Sequence, residues 1–376
     1  MSAKQDHGPT LSPDNDALRA LDTPVLVLDH AALERNIAAM AAAARQARVA
    51  LRPHVKTHKS PEIAALQLRA GAVGIACATV AEAEAMVAAG IPDVLITTPF
   101  MGDTKFARVA ALNRTADVAI VVDDVRQIAC LRDALRAADR RLRVLVDVDV
   151  GQWRTGVTQV ADAVRLADAI AASPELAFAG IQGFAGHAQH IPDPRQRRTA
   201  ATEAATMLRG VVEALGEAGY PAGLVTGSGT GTYLQDAVGP YNELQAGSYV
   251  FMDAEYARIV DERGAGPSFT PSVFVLATVV SANRAGEVTV DAGTKALATN
   301  GPPPCRILGA ASGAAYRFAG DEHGIIAVPP GRPVPPLGAR VLIGATHCDP
   351  TVNLYASYCV IRAGAIERWP VCGRHG

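Results

Sequence analysis

Hydrophobic and polar positions along this chain follow two rhythms. From Thr23 to about Val250, short apolar runs rich in β-formers alternate with Ala-rich amphipathic stretches. The apolar runs are Val49–Val55, Val73–Cys77, Val94–Thr97, Val118–Val122, Leu142–Val148, Phe178–Gly183, Gly223–Thr226 and Glu243–Tyr249. Between most of them lie helical patterns such as Pro61–Ala70, Val80–Ala89, Val125–Ala138 and Asp162–Ala172. Strands alternating with helices predict βα units and a parallel sheet buried on both faces. Eight runs is the number that closes a (β/α)₈ TIM-type barrel of about 250 residues. A doubly wound open sheet is the rival arrangement, because one miscounted strand would restore it.

After Ser268 the rhythm changes. Val273–Val280, Glu287–Asp291, Arg340–Ile343 and Ala356–Arg362 alternate as strands do, separated by Gly/Pro-rich loops such as Gly301–Pro304 and Pro329–Pro336. Helical periodicity is absent there, which predicts a small all-β domain. The expected plan is a polar N-terminal extension (1–22), a barrel (23–265) and a β domain (266–376).

Composition narrows this picture without changing it. The 376 residues are 49% hydrophobic and 19% charged, enough for two cores and unlike a disordered chain. A net charge of −2 with no long run of either sign gives no footprint for nucleic acid or a membrane surface. Met1–Asp16 is polar, unlike a signal peptide, and no apolar run reaches the length of a membrane span. Six cysteines without a CxxC pair suit reduced thiols in a cytoplasmic protein.

A barrel carries its chemistry at the C-terminal ends of its strands, with phosphate held after strands seven and eight. After the seventh run stands Thr226-Gly-Ser-Gly-Thr-Gly-Thr-Tyr233. Its alternating glycines let backbone N–H groups approach an anion, and the hydroxyls of Ser228, Thr230 and Thr232 add donors. The loop matches neither nucleotide-binding glycine pattern, which points to a small phosphorylated cofactor. After the first run stands Arg52-Pro-His-Val-Lys-Thr-His-Lys-Ser60, two lysines and two histidines that do not read as core. A lysine there opposite a phosphate loop suits a covalent link to pyridoxal phosphate, and Lys56 and Lys59 both qualify. Strand five ends in Asp147-Val-Asp149, with alternation placing both carboxylates on one face, and Arg154 follows as an anion-binding candidate or an ordinary surface arginine. Gly186-His-Ala-Gln-His190 brings two imidazoles after strand six.

In the β domain, Thr346-His-Cys-Asp-Pro350 puts His347 and Asp349 two apart, on one face of an expected strand, with Cys348 turned away. One imidazole and one carboxylate suit Mn²⁺, Mg²⁺ or Zn²⁺ with water completing the shell, although such pairs recur by chance. Asp321-Glu-His-Gly324 is a second acidic/His cluster that also reads as an ordinary loop.

Taken together, RPHVKTHKS, TGSGTGTY, YNELQAGSYVFMD, DAGTKA, DEHG and THCDPTVNLY resemble the D-threonine aldolase and D-serine dehydratase family of fold-type III pyridoxal-phosphate enzymes, from about Asp22 to Arg374. That family shares a barrel-plus-β-domain architecture with alanine racemase. The resemblance implies that Lys59 carries the covalently bound cofactor, with Lys56 the spare, and that Thr226, Gly227, Ser228, Gly229 and Thr230 hold its phosphate. It implies further cofactor contacts from Arg154, near the phenolic oxygen, and from Gln245, Gly247, Ser248 and Tyr249, with Gln245 where alanine racemase has an arginine facing the pyridine nitrogen. Phe184 stands where many relatives have tyrosine. The His-x-Asp pair, in place of His-x-Cys, implies a metal site of His347 and Asp349, Mn²⁺ foremost, and an aldolase. The implied reaction is retro-aldol cleavage of a D-3-hydroxy amino acid to glycine and an aldehyde, with His190 as base. Dehydration to a 2-oxo acid and ammonia is the nearest alternative; racemisation and a non-catalytic cofactor carrier are further ones. A homodimer is the assembly the resemblance implies.

Overall fold

The computed structural model describes residues 10–374 apart from Pro267 and Cys305, so the Cys305 thiol and the start of the expected N-terminal extension lie outside the described residues. Eight parallel strands form one sheet: Ala50–Leu51, Ile75–Cys77, Asp93–Ile96, Asp117–Val122, Leu142–Asp147, Leu176–Gly183, Leu224–Gly227 and Glu243–Leu244. Each falls on one of the eight apolar runs. Neighbours follow sequence order, and the first strand pairs with the eighth. The ring closes where Val73 N–H donates to Leu51 O and Ala76 N–H to Pro53 O, both at 2.9 Å, with His54 bridged to Ala76. That closure excludes the open doubly wound sheet.

Leu95, Ala119, Val121 and Leu145 cluster on one side of these strands. Period two puts Thr97 and Asp147 on that same side, one step nearer the C-terminal ends. The apolar layer therefore gives way to polar groups at the end where loops begin. The first strand is short because Pro53 has no N–H for a ladder and Val55–Thr57 tightens into a 3₁₀ turn. The helices start where chemistry directs: Asp124 and Gln127 form a capping box for Val125–Leu135, and Pro61 opens Pro61–Arg69.

The remaining strands form a nine-stranded mixed sheet. Val25–Asp29 lies within it, antiparallel to Val273–Arg284 and parallel to Ser357–Arg362. The chain accordingly divides into two compact units: residues up to Ala39 with Ser248–Val371, and Met40–Gly247 with the residues from Cys372 onward. This differs from the contiguous 23–265 and 266–376 expected above, because strand pairing over some 250 residues leaves no trace in local periodicity. Residues 10–22 are also more than a polar extension. Leu11, Leu18 and Leu21 are buried in one cluster with Val27, Phe274, Leu276, Leu342, Cys359 and Ile361. Strands Ile307–Leu308, Ala315–Phe318, Gly324–Ala327 and Ala365–Pro370 join those expected, and Cys348–Asn353 is helical. No described helix is long and apolar enough to cross a membrane.

Candidate active site

A chain of polar side chains runs through the barrel, from Asp93 and Glu243 at the first positions of their strands to Asp147 at the last position of its own. Arg52 pairs with Asp93 (2.7 Å) and with Glu243 (3.0 Å), and Thr226 Oγ1 donates to the same Glu243 oxygen at 2.9 Å. Gln245 Nε2 donates to Thr226 Oγ1 (2.9 Å) and Gln182 Oε1 (3.2 Å). Gln182 Nε2 in turn donates to Thr97 O and Asp147 Oδ1, both at 2.8 Å. Thr155 Oγ1 satisfies the second Asp147 oxygen at 2.8 Å. Burial pushes the Asp147 carboxyl up to about 6, against the opposing pull of Gln182 and Thr155. Asp149 does different work: its Oδ1 accepts the N–H groups of Gly151, Gln152 and Trp153, shaping the loop beyond the strand. The two aspartates are therefore not a matched pair of site carboxylates.

The basic segment after strand one is more buried than its composition suggests. His54, His58 and Lys59 are all buried. Thr97 Oγ1 donates to Cys77 O, so it accepts from Nε2 of His54 at 3.0 Å, while Lys56 N–H donates to His54 Nδ1. Both ring nitrogens of His54 are thereby occupied. The two lysines separate sharply. Lys59 takes φ +49° and donates from Nζ to Glu82 Oε1 at 2.6 Å and to Gly373 O at 3.3 Å. Its carbonyl also accepts Cys372 N–H, so both ends of the residue hold the C-terminal segment. Lys56 is half-buried in the 3₁₀ turn directly after His54.

Across the barrel end, the Gly-rich loop leaves strand seven. Ser228 has φ +76°, a left-handed turn that aims successive N–H groups to one side. Ser228 and Thr230 are buried, and Gln245 N–H donates to Gly227 O at 2.6 Å, joining loop to strand eight. Gly247 lies against His54 and Thr57. Arg154 is exposed, its guanidinium carbon 5.7 Å from the centroid of the Phe184 ring, at a cleft also bounded by Asp147, Gln152 and Thr155. His187 is exposed against Gly151, whereas His190 is half-buried beside Gln189.

Ser248 and Tyr249 fall in the other unit. There Ser248 pairs with the Tyr256 hydroxyl, and the fully buried Tyr249 ring packs 5.6 Å from that of Phe269. In that unit His347 and Asp349 do not share a strand face. His347 caps the helix Cys348–Asn353 and Asp349 stands in its first turn. Pro350 explains why: its missing N–H is tolerated in the first turn of a helix and disfavoured inside a sheet. Asp253 Oδ2 accepts Cys348 N–H at 2.9 Å, and burial pushes this carboxyl up against the pull of its backbone donors. The Asn300 amide lies 3.0 Å from Nδ1 of His347, leaving Nε2 for another partner. Among the described residues no three His, Cys, Asp or Glu side chains gather as metal ligands.

Comparison with known proteins places these features. The model of the alanine racemase N-terminal domain matches residues 28–255, and a serine dehydratase domain matches residues 272–361. D-threonine aldolase of an Arthrobacter species is 40% identical over 97% of this chain and 96% of its own length. The chain belongs to the D-threonine aldolase and D-serine dehydratase family. The 3-hydroxy-D-aspartate aldolase of Paracoccus denitrificans (strain Pd 1222) is 37% identical over 100% of this chain and 99% of its own. The crystal structure of D-threonine aldolase from Filomicrobium marinum superposes with a TM-score of 0.90 at 41% identity, covering 95% of this chain and 97% of that one. The protein is thus an alanine racemase-like, pyridoxal-phosphate-dependent carbon–carbon lyase.

The residues fit that family's cofactor. A left-handed turn presenting N–H groups, a lysine after strand one and a buried polar floor of Gln182 and Gln245 answer its phosphate, aldehyde and ring. The pair His347 and Asp349 fits a hard divalent ion that keeps several waters better than a closed zinc site. Composition overlooked Glu82, although Thr79-x-x-Glu82 has the spacing of a helix cap and Thr79 Oγ1 does accept Glu82 N–H. Gln182 and Asp236 carried no local signal.

Proposed function

We propose that this protein cleaves D-3-hydroxy amino acids to glycine and an aldehyde, using pyridoxal phosphate at the barrel end and a divalent ion, Mn²⁺ foremost, at His347 and Asp349. The observation that carries this reading is the His-x-Asp pair in a chain whose aldolase relatives match it along nearly its whole length. We assign the cofactor-bearing lysine to Lys56 and not to Lys59. Lys59 Nζ is engaged by the buried Glu82 carboxylate at 2.6 Å and by Gly373 O, whereas Lys56 stands in the turn directly after His54.

When bound, pyridoxal phosphate supplies an electron sink for the bond-breaking step, and a divalent ion supplies Lewis acidity to a hydroxyl. The chain's own groups do the rest. The loop Gly227–Thr230 binds phosphate through backbone N–H groups and hydroxyls, as Thr226 and Gln245 hold the floor beneath it. Arg154, at the open edge of the cleft, binds an anionic oxygen of cofactor or substrate. His190 takes the proton of the 3-hydroxyl, the Cα–Cβ bond breaks as that oxygen becomes a carbonyl, and a proton delivered to Cα completes glycine.

The match of residues 272–361 to a serine dehydratase domain supports a second reading, in which the hydroxyl departs and a 2-oxo acid and ammonia result. A panel of D-3-hydroxy amino acids, assayed with and without chelator, decides. Glycine with an aldehyde is expected, and loss of turnover with chelator. A 2-oxo acid with ammonia would replace this reading by the second.

A further inference from the structure

Gln189 touches two parts of the site that the proposed chemistry uses separately. Its side chain is buried, and its nitrogen donates to Ala185 O (3.1 Å) and to Thr232 Oγ1 (2.8 Å). Its oxygen accepts Gly231 N–H at 2.9 Å. A backbone N–H only donates and a carbonyl only accepts, so these partners fix which way the amide faces. The Thr232 hydroxyl donates its hydrogen bond to the buried carboxylate of Asp236, which leaves its lone pairs toward Gln189. The three residues form a chain of one polarity, Gln189 to Thr232 to Asp236. Packing agrees. A Cβ on Gly229 would lie 2.4 Å from Gln189 Oε1, and one on Gly231 2.0 Å from the Gln189 backbone oxygen. The third glycine of the loop is therefore required by the approach of the Gln189 backbone, and the second leaves room for its side-chain amide.

We infer that Gln189, backed by Thr232 and Asp236, is a positioning residue that clamps the loop 227–232 to the segment 186–190 bearing His190, so that cofactor affinity and base placement are set together. The clamp rests on the reading that this loop holds the cofactor's phosphate. One amide serves two strand ends: its oxygen fixes where the Gly231 N–H points, and its nitrogen fixes the turn that ends at His190.

The test uses full-length protein, pyridoxal phosphate titrated by absorbance, inorganic phosphate as competitor, and amide exchange of the cofactor-free chain. Gln189→Met keeps the volume and removes every hydrogen bond. It is expected to weaken pyridoxal phosphate about 10-fold, as the loss of the two of its three hydrogen bonds that reach the loop predicts. Exchange should rise in peptides from 186–190 and 227–232 together, and kcat should fall with KM for substrate little changed. Thr232→Val, which removes the middle link at almost constant volume, carries the same expectation should Gln189→Met fail to fold. Thr232→Ser should restore wild-type affinity, and Gln189→Met combined with Thr232→Val should be no worse than either alone. Unchanged cofactor affinity in both variants, or exchange rising in one segment only, overturns the clamp. Wild-type protein that binds pyridoxal phosphate with no competition from phosphate overturns the loop assignment instead.

Discussion

In the barrel, polar side chains on or directly after neighbouring strands hold one another: Arg52, Glu243, Thr226, Gln245, Gln182 and Asp147 form one continuous run. In the other unit, His347 stands at the N-cap and Asp349 in the first turn of a six-residue helix whose Cys348 N–H is held by Asp253. The barrel groups are placed by side chain on side chain, so a change at one displaces several. His347 and Asp349 are set by their places at the start of that helix, with the Asn300 amide beside the His347 ring. That contrast makes the barrel substitutions the more mixed in effect.

The sharpest way to break this comparison is at the two lysines. Lys56→Ala should abolish the borohydride-trapped cofactor adduct entirely, whereas Lys59→Ala should keep it. Lys59→Ala should instead lose about 3–5 kcal/mol of stability, because it strands a buried Glu82. An adduct lost with Lys59 and kept without Lys56 would return the cofactor to Lys59.

Next in size is the metal pair. Asp349→Ala and chelation should each lower kcat/KM by a factor on the order of 10³, the loss of several kcal/mol of Lewis-acid stabilisation. Cofactor absorbance should be unchanged, and normal turnover of metal-stripped Asp349→Ala would refute the site. His190→Ala should lower kcat by about 10²–10³, within the span of general-base contributions, with His187→Ala nearly silent. The converse result would exchange their roles.

Asp147 gives a smaller effect with a definite sign. Its folded-state value of about 6 lies above the roughly 3.9 of an unfolded aspartate, so the folded state binds its proton more tightly. The stability it contributes is complete below about pH 4 and is lost as pH rises to 6, roughly 3 kcal/mol in all. Urea midpoints of the cofactor-free protein should therefore depend less on pH across that window in Asp147→Asn than in wild type; an unaltered slope would exclude Asp147 as its source. Cys348→Ser should be smallest, about 1 kcal/mol for a hydroxyl in a fully buried thiol's place, with metal content intact. Loss of metal in that variant would mean that the helix carrying the pair is less autonomous than its backbone cap suggests.

Local patterning made the barrel legible because each βα unit repeats within about 30 residues, and because parallel strands buried on both faces read as apolar runs. The position of the Gly-rich loop was legible for the same reason: its glycines follow a strand whose place in the ring could be counted. Elsewhere the signal failed for identifiable causes. Val25–Asp29 looks like any apolar run, and only its pairing with residues near 275 and 359 assigns it to the second sheet. His347 and Asp349 alternate as a strand pair would, but the Pro350 that follows them supports the first turn of a helix.

What the sequence determined by itself was the eight-strand count, the order of the motifs and the residue types at each strand end, since hydrophobic period, turn chemistry and motif spacing are properties of neighbours in the chain. The tertiary structure decided which of those residues face one another. It paired Lys59 with Glu82, separated the duties of Asp147 and Asp149, and brought Gln189 against Gly231 and Thr232 across 42 and 43 positions of chain. A side chain's role depends on its partner's distance and on its burial, and both are set only when distant strands close into a ring.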